Sequence, residues 1–226
     1  LSQDQQWREG DAEVFLSGQI TDAQSRMNVM NLIEDGKISP SVMAQFVALF
    51  ERLQLPQTEL QTLASQLLAT VPDNQGKAPA GQGPLMPQHT AQLSWLGLSA
   101  GSLAALQDHI TWLPEPTPIN LNTASAEVLS ASLVGFDLAS ARQAIALRQR
   151  AHWPSLNAAR EALGAAGLQL SEKQHSVQSR YFEVLGRMRI DNVVQQELAL
   201  VRRDGSQVRM VWRIRSPQQS HTAPLQ

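Results

Sequence analysis

The chain has 226 residues, a formal net charge of −2, 42% hydrophobic and 5% aromatic residues, and no cysteine. That length holds one large domain or two modest ones, and the near-neutral charge excludes a global basic field for nucleic acid or an anionic membrane. Disulfides and thiolate metal sites are excluded too, although the absence of thiols leaves the compartment open.

No apolar run reaches the roughly 18 residues of a membrane span. The chain opens Leu-Ser-Gln-Asp and not with Met, so Leu1 reads as a processed or trimmed end that an anchor or signal segment could precede.

In chain order, Ala12–Leu16 and Gln19–Asp22 read as two short strands around a tight turn at Ser17-Gly18. Residues 22–32 read as a strand end leading into a loop rich in oxygen-bearing side chains. Ser39-Pro40 is an N-cap and N1 pair, and Val42, Phe46, Leu49, Phe50 and Leu53 recur at helical steps behind it. Leu60, Leu63, Ala64, Leu67, Leu68 and Val71 repeat that pattern after Pro56. Residues 72–87 hold four prolines and three glycines without periodicity and read as a flexible surface loop. A short helix near Thr90–Trp95 follows, then another from Ser99 to about Ile110. Trp112–Pro118 is proline-stiffened and extended.

That segment delivers the chain to Ile119-Asn120-Leu121-Asn122-Thr123-Ala124. Thr123 is the expected N-cap of a helix burying Val128, Leu129, Ser132 and Leu133. Val134-Gly135-Phe136-Asp137 turns the chain, and Asp137 is placed to cap a second helix bearing Leu138, Ala141 and Ile145 on one side. Ser155 is placed to cap a helix over Leu156–Leu163, and Ser171–Gln174 has capping-box spacing for a short helix to Val177. The period then switches. Tyr181–Ile190, Val193–Arg202 and Gln207–Arg215 read as strands, the last two joined by an Asp204-Gly205 hairpin turn. Strict alternation puts Val208, Met210, Trp212 and Ile214 on one face and Arg209, Val211, Arg213 and Arg215 on the other. The tail after Ser216 reads as disordered. Early strands are too few to stand alone, so the economical α+β arrangement pairs them with the late ones and makes the helices an insertion.

Two families use the helical hairpin after Asn120. The helix–hairpin–helix DNA-binding module needs a Gly-x-Gly turn and basic neighbours. Here one glycine is missing, Asp137 sits where a phosphate would go, and residues 119–179 carry five Lys/Arg against four Asp/Glu. The other is the K-type minor pseudopilin family of bacterial type II secretion. The chain resembles that family over nearly its whole length: in Asp22-Ala23-Gln24 and Met27-Asn28-Val29, in the Ile119–Ala124 segment, and in Ser179-Arg180-Tyr181-Phe182.

The resemblance implies a type IV pilin-like domain with an antiparallel sheet, lacking its N-terminal hydrophobic helix here, and a large all-α insertion of two sterile-alpha-motif-like subdomains. The implied division is 1–33, the first part of the pilin-like β domain; 34–117, the first helical subdomain with a flexible loop at 72–88; 118–178, the second; 179–216, the strands completing the β domain; and 217–226, a disordered tail. The implied role is non-enzymatic: a subunit at the pseudopilus tip, assembled with I- and J-type minor pseudopilins and indirectly with the major pseudopilin. It implies the periplasmic domain of an inner-membrane-anchored protein, with no nucleic acid bound and no membrane contact beyond that helix. It also implies Ca²⁺, with Asp22 and Gln24 among ligands that must total about six to eight oxygens at ~2.3–2.6 Å. A turn whose Asp and Asn side chains cap local amides is the plainer reading of the same residues. A third reading is an α+β periplasmic protein that only docks to secretion machinery.

No Gly-x-Ser-x-Gly, phosphate-binding glycine loop or paired-histidine spacing occurs, and His89, His109, His152, His175 and His221 form no ligand pattern. Residues 180–215 hold eight Arg against four acidic residues, read either as a solvated face with cross-strand ion pairs or as a surface for an acidic partner. Trp7, Trp95, Trp112, Trp153 and Trp212 read as core or subdomain-contact residues.

Overall fold

The computed structural model describes residues 14–71, 84–190 and 193–219. Strand β1 (Val14–Asp22) leads into a 3-10 turn over Ala23–Ser25, β2 (Met27–Asn28), a second 3-10 turn over Val29–Leu32, and the short strands β3 (Ile33–Glu34) and β4 (Lys37–Ile38). Helices α1 (Pro40–Arg52) and α2 (Gln57–Thr70) follow. Next come a 3-10 segment over Thr90–Leu96, α3 (Ala100–Leu106), β5 (Ile110–Thr111) and β6 (Ile119–Asn120). Then α4 (Ala126–Ser132), α5 (Leu138–Arg150), α6 (Leu156–Leu163) and β7 (His175–Ser176) precede the long strands β8 (Tyr181–Ile190), β9 (Val193–Asp204) and β10 (Gln207–Gln219). Trp7, most of the expected flexible loop, and residues 220–226 of the expected tail lie outside the described residues.

Two compact units divide the chain: Asp22–Ser179, and the segments on either side of it. The chain therefore leaves the first unit at residue 22, where sequence reading set the boundary at 33/34.

In the flanking unit the four long strands form one sheet in the order β1-β8-β9-β10. Strands from both ends of the chain share it, as the pairing argument expects. β1 is one continuous strand through Gly18, not two strands around a turn. Hydrogen bonding to a neighbouring strand overrides the weak turn signal of Ser17-Gly18. β8 and β9 pair antiparallel from Tyr181↔Arg202 to Ile190↔Val193. β9 turns into β10 through Gly205 at φ 61°, a left-handed conformation that suits glycine, and β10 runs beyond Ser216 to Gln219.

The register of β10 corrects the expected alternation. Met210 lies opposite Val201 and Trp212 opposite Leu200, so Val211 is the extra residue of a β-bulge. Neighbours Val201 and Leu200 face opposite ways, and directly paired residues face the same way. Val208 and Met210 therefore share a face with Arg213 and Arg215, while Arg209, Trp212 and Ile214 lie on the other. Periodicity alone cannot see the added residue.

The unit Asp22–Ser179 has one core. Phe46, Leu49 and Phe50 of α1, Leu60, Leu63 and Leu67 of α2, and Val128, Leu129, Ala141 and Ala144 of α4 and α5 belong to a single buried cluster. The segments 34–117 and 118–178 thus share their interior, each fully buried aliphatic or aromatic side chain contributing about 1.5–3 kcal/mol. Parallel pairs tie distant segments together, β2 with β5 and β6 with β7. The expected helix after Ser171 is instead a turn into β7, because His175 and Ser176 find strand partners in Ile119 and Asn120. Trp112 and Trp153 are buried, whereas Trp95, read from sequence as a core or subdomain-contact residue, is 53% exposed.

Candidate functional site

The polar side chains singled out by sequence converge around Pro118–Ala124. Asp22 caps the first 3-10 turn, its Oδ1 accepting from the Gln24 amide at 2.8 Å. Its Oδ2 accepts from Asn120 Nδ2 at 2.8 Å, Thr123 Oγ1 at 2.6 Å and Ser179 Oγ at 2.7 Å. Gln24 Nε2 donates to the Pro118 carbonyl at 3.0 Å. Thr123 is therefore spent on Asp22, and α4 is capped instead by Ser125, whose Oγ accepts from Val128 N–H at 3.2 Å. Both hydroxyls sit before the helix, so sequence alone could not choose between them.

The residues between β1 and β3 are not an open loop. Asn28 Oδ1 accepts from the Met30 and Leu113 amides, and its Nδ2 donates to the Glu115 carbonyl and Thr117 Oγ1. Asn31 brackets Thr117, donating to its carbonyl at 2.8 Å and accepting from its amide at 3.0 Å. Proline at 114, 116 and 118 removes the amides that a ladder would use, and these asparagines supply partners for what remains.

Beyond Asn120 the motif is held from two further directions. Asn122 Nδ2 donates to the Trp153 and Val177 carbonyls, and its Oδ1 accepts from the Trp153 amide. Arg148 of α5, 7% exposed, donates to the Leu121 and Ala124 carbonyls. Burial lowers its pKa from the usual arginine range. Nothing in the sequence separated Arg148 from Arg142 or Arg150 except its i+7 spacing from Ala141, on the buried side of the helix.

His175 is also buried. Its Nδ1 accepts from the Ser171 amide at 3.3 Å, and its Nε2 is buried without a hydrogen-bond partner among the described residues. Burial pushes its pKa down to about 4.

Both Asp22 oxygens accept from protein donors, and no three His, Cys, Asp or Glu residues group around one point among the described residues. The lattice does mechanical work: it locks residues 22–31, 113–124 and 175–179 into one block.

Asp137 Oδ1 accepts from the Ser140 amide at 2.7 Å, filling the start of α5 with a carboxylate, and that amide holds the Asp137 pKa below its ordinary value. Beside the turn over residues 134–137 lies a cleft of about 600 Å³ lined by Ala44, Ala48, Leu133, Phe136 and Gln174. Gln169 grips Val134 from the side, accepting from its amide and donating to its carbonyl, each at 2.8 Å.

Residues 119–178, opening on this motif and closing just before Ser179, match the family model for type II secretion system (T2SS), protein K. That segment is where the chain's likeness to protein K lies. The chain is 27% identical over 181 residues to the type II secretion system protein K of Pseudomonas aeruginosa, covering 74% of this chain and 54% of that protein. The chain thus spans about half the length of that curated relative. Its fold is similar to a chain in the crystal structure of the GspK–GspI–GspJ complex from the enterotoxigenic Escherichia coli type 2 secretion system, with TM-score 0.67 and 19% identity over 93% of this chain and 82% of that one. No described helix is long and apolar enough to cross a membrane.

Proposed function

We propose that the chain is the periplasmic part of a K-type minor pseudopilin, a non-enzymatic subunit at the tip of the type II secretion pseudopilus. One observation carries this reading: the segment that matches protein K lies inside an insertion whose flanking strands, β1 and β8, are neighbours in one sheet. The sheet unit is read as the pilin-like domain, and Asp22–Ser179 as the helical insertion of sterile-alpha-motif-like character. A subunit that stacks through its own apolar helix cannot carry so bulky an insertion and still be stacked upon, so it suits an end and not a shaft. I- and J-type minor pseudopilins are its partners, the major pseudopilin meets it indirectly, and an N-terminal helix anchors the whole protein in the inner membrane before assembly. Calcium stays outside this proposal because the Asp22 cluster presents donors.

Size-exclusion chromatography of this chain with soluble I- and J-type domains tests the reading. A ternary peak is expected, and a variant in which a short linker replaces residues 23–178 and joins β1 to β8 should retain it. Separate elution of all three wild-type proteins at about 10 µM would overturn the assignment, since specific complexes reach this affinity range readily.

A further inference from the structure

β10 is the terminal strand of its sheet, so one long backbone edge has no strand beside it among the described residues. It is 13 residues long, and Val208, Met210, Val211 and Ile214 along it are 63, 57, 39 and 40% exposed. Unpaired amides and carbonyls flanked by apolar side chains are a template for another strand. Its charge is one-sided: β10 carries Arg209, Arg213 and Arg215 and no carboxylate. The neighbouring β9 is balanced, with Glu197 and Asp204 against Arg202 and Arg203. Glu197 is shared, 3.8 Å from Arg213 and 2.7 Å from Arg215. Arg209 lies directly opposite Arg202, whose own carboxylate partner is Asp204.

We propose that the free edge of β10 takes up an extended segment of a partner subunit by strand addition, and that this segment carries carboxylates facing Arg209, Arg213 and Arg215. This rests on the reading of the chain as one subunit of a pseudopilus tip complex, and it names the surface and chemistry by which a partner is held. The same features repel a second copy. An antiparallel pair of β10 strands gathers six arginines and no β10 carboxylate along one seam, and like charges across a strand pair are destabilising. The bulge at Val211 and the missing amide of Pro217 shorten the stretch available for indiscriminate pairing. An acidic segment meets three arginines, two of which, Arg213 and Arg215, share Glu197, so binding is fast and salt-sensitive.

The test titrates soluble I- and J-type minor pseudopilin domains into the whole chain, the R209E/R213E/R215E variant and the matching triple-lysine variant. The wild-type complex should weaken markedly with salt, the glutamate variant should bind at least about tenfold more weakly, and the lysine variant should stay within about threefold. Arg209→Glu alone leaves both Glu197 pairs in place and serves if the triple variant melts early. Hydrogen exchange should show β10 amides slowed in the complex, a readout that charge attraction without strand pairing does not give. If the wild-type chain binds neither domain, the tip-complex reading falls and takes this proposal with it. If the wild type binds but the glutamate variants bind equally well, or β10 amides gain no protection, the strand-addition proposal alone is overturned.

Discussion

The Ser179 hydroxyl donates to Asp22 Oδ2 at 2.7 Å across 157 positions of sequence, and these two residues are the last and the first of the helical unit. Asn120 strengthens the junction, donating to Asp22 and also to Ser179 Oγ at 2.9 Å. Asp22→Ala strands one amide, two hydroxyls and a carboxamide. With about 1–3 kcal/mol for a buried group left unpaired and partial access to water here, the expected loss is about 3 kcal/mol in urea unfolding. Asp22→Asn should recover part of it. A midpoint equal to wild type would show that the cluster carries no stability.

The same occupancy makes a prediction about metal. Adding a calcium chelator to the purified chain should leave its melting temperature unchanged, because Asp22 is already satisfied by protein donors. A chelator-dependent drop that Asp22→Asn abolishes would show that the cluster rearranges to hold an ion.

Arg148→Met should destabilise the chain by about 2–4 kcal/mol, as two buried carbonyls lose charged donors. Arg148→Lys should recover little, since one ammonium cannot reproduce the guanidinium fork. Chemical denaturation of the three proteins compares them directly, and a methionine variant as stable as wild type would refute the role.

Much of this was legible in the chain. Ser155 and Asp137 cap the helices their positions suggest, because a hydroxyl or carboxylate before an apolar 3.6-residue pattern has few other uses. The sheet that joins the chain's two ends was also readable, from strand patterns too short to stand alone. What failed was whatever depended on a distant partner. Ser39 stands at the N-cap of α1, yet its hydroxyl donates to Glu34 at 3.0 Å. Thr123 turned to Asp22, and His175 to a strand. The Ile119–Ala124 motif was found by pattern, but its purpose as a hydrogen-bond hub needed Asp22, Trp153 and Val177 brought alongside.

His175 predicts an acid-labile fold. Its folded pKa of about 4 lies below its ordinary value of 6.5, so the unfolded chain binds more protons between those values. The stability tied to neutral His175 is therefore complete above pH 6.5 and lost as pH falls toward 4, by about 3 kcal/mol at 1.36 kcal/mol per unit. Protonating Nδ1 also sets a proton against the Ser171 amide. Stability measured from pH 7.5 to 4 should fall less steeply in His175→Gln than in wild type, and parallel curves would refute the assignment.

Deleting Val211 should be tolerated. The pairs Met210↔Val201 and Trp212↔Leu200 already face correctly, so removing the extra residue regularises the ladder and keeps Arg213 and Arg215 beside Glu197. The melting temperature should move little, whereas self-association should increase, since a bulge is one device that guards a sheet edge. Light scattering at rising concentration measures this, and a variant that stays monomeric while wild type does also would argue against the bulge as a guard.

The junction at Asp22 and Ser179 also bears on how the chain reaches its native state. Closing an unstructured connection of this length between β1 and β8 would cost about 4–5 kcal/mol of loop entropy. Once the insertion has folded, its ends are already held a hydrogen bond apart, and the sheet meets a connection that behaves like a tight turn. An insertion that folds ahead of the sheet therefore lets strands from the two ends of the chain close as though they had been neighbours in sequence.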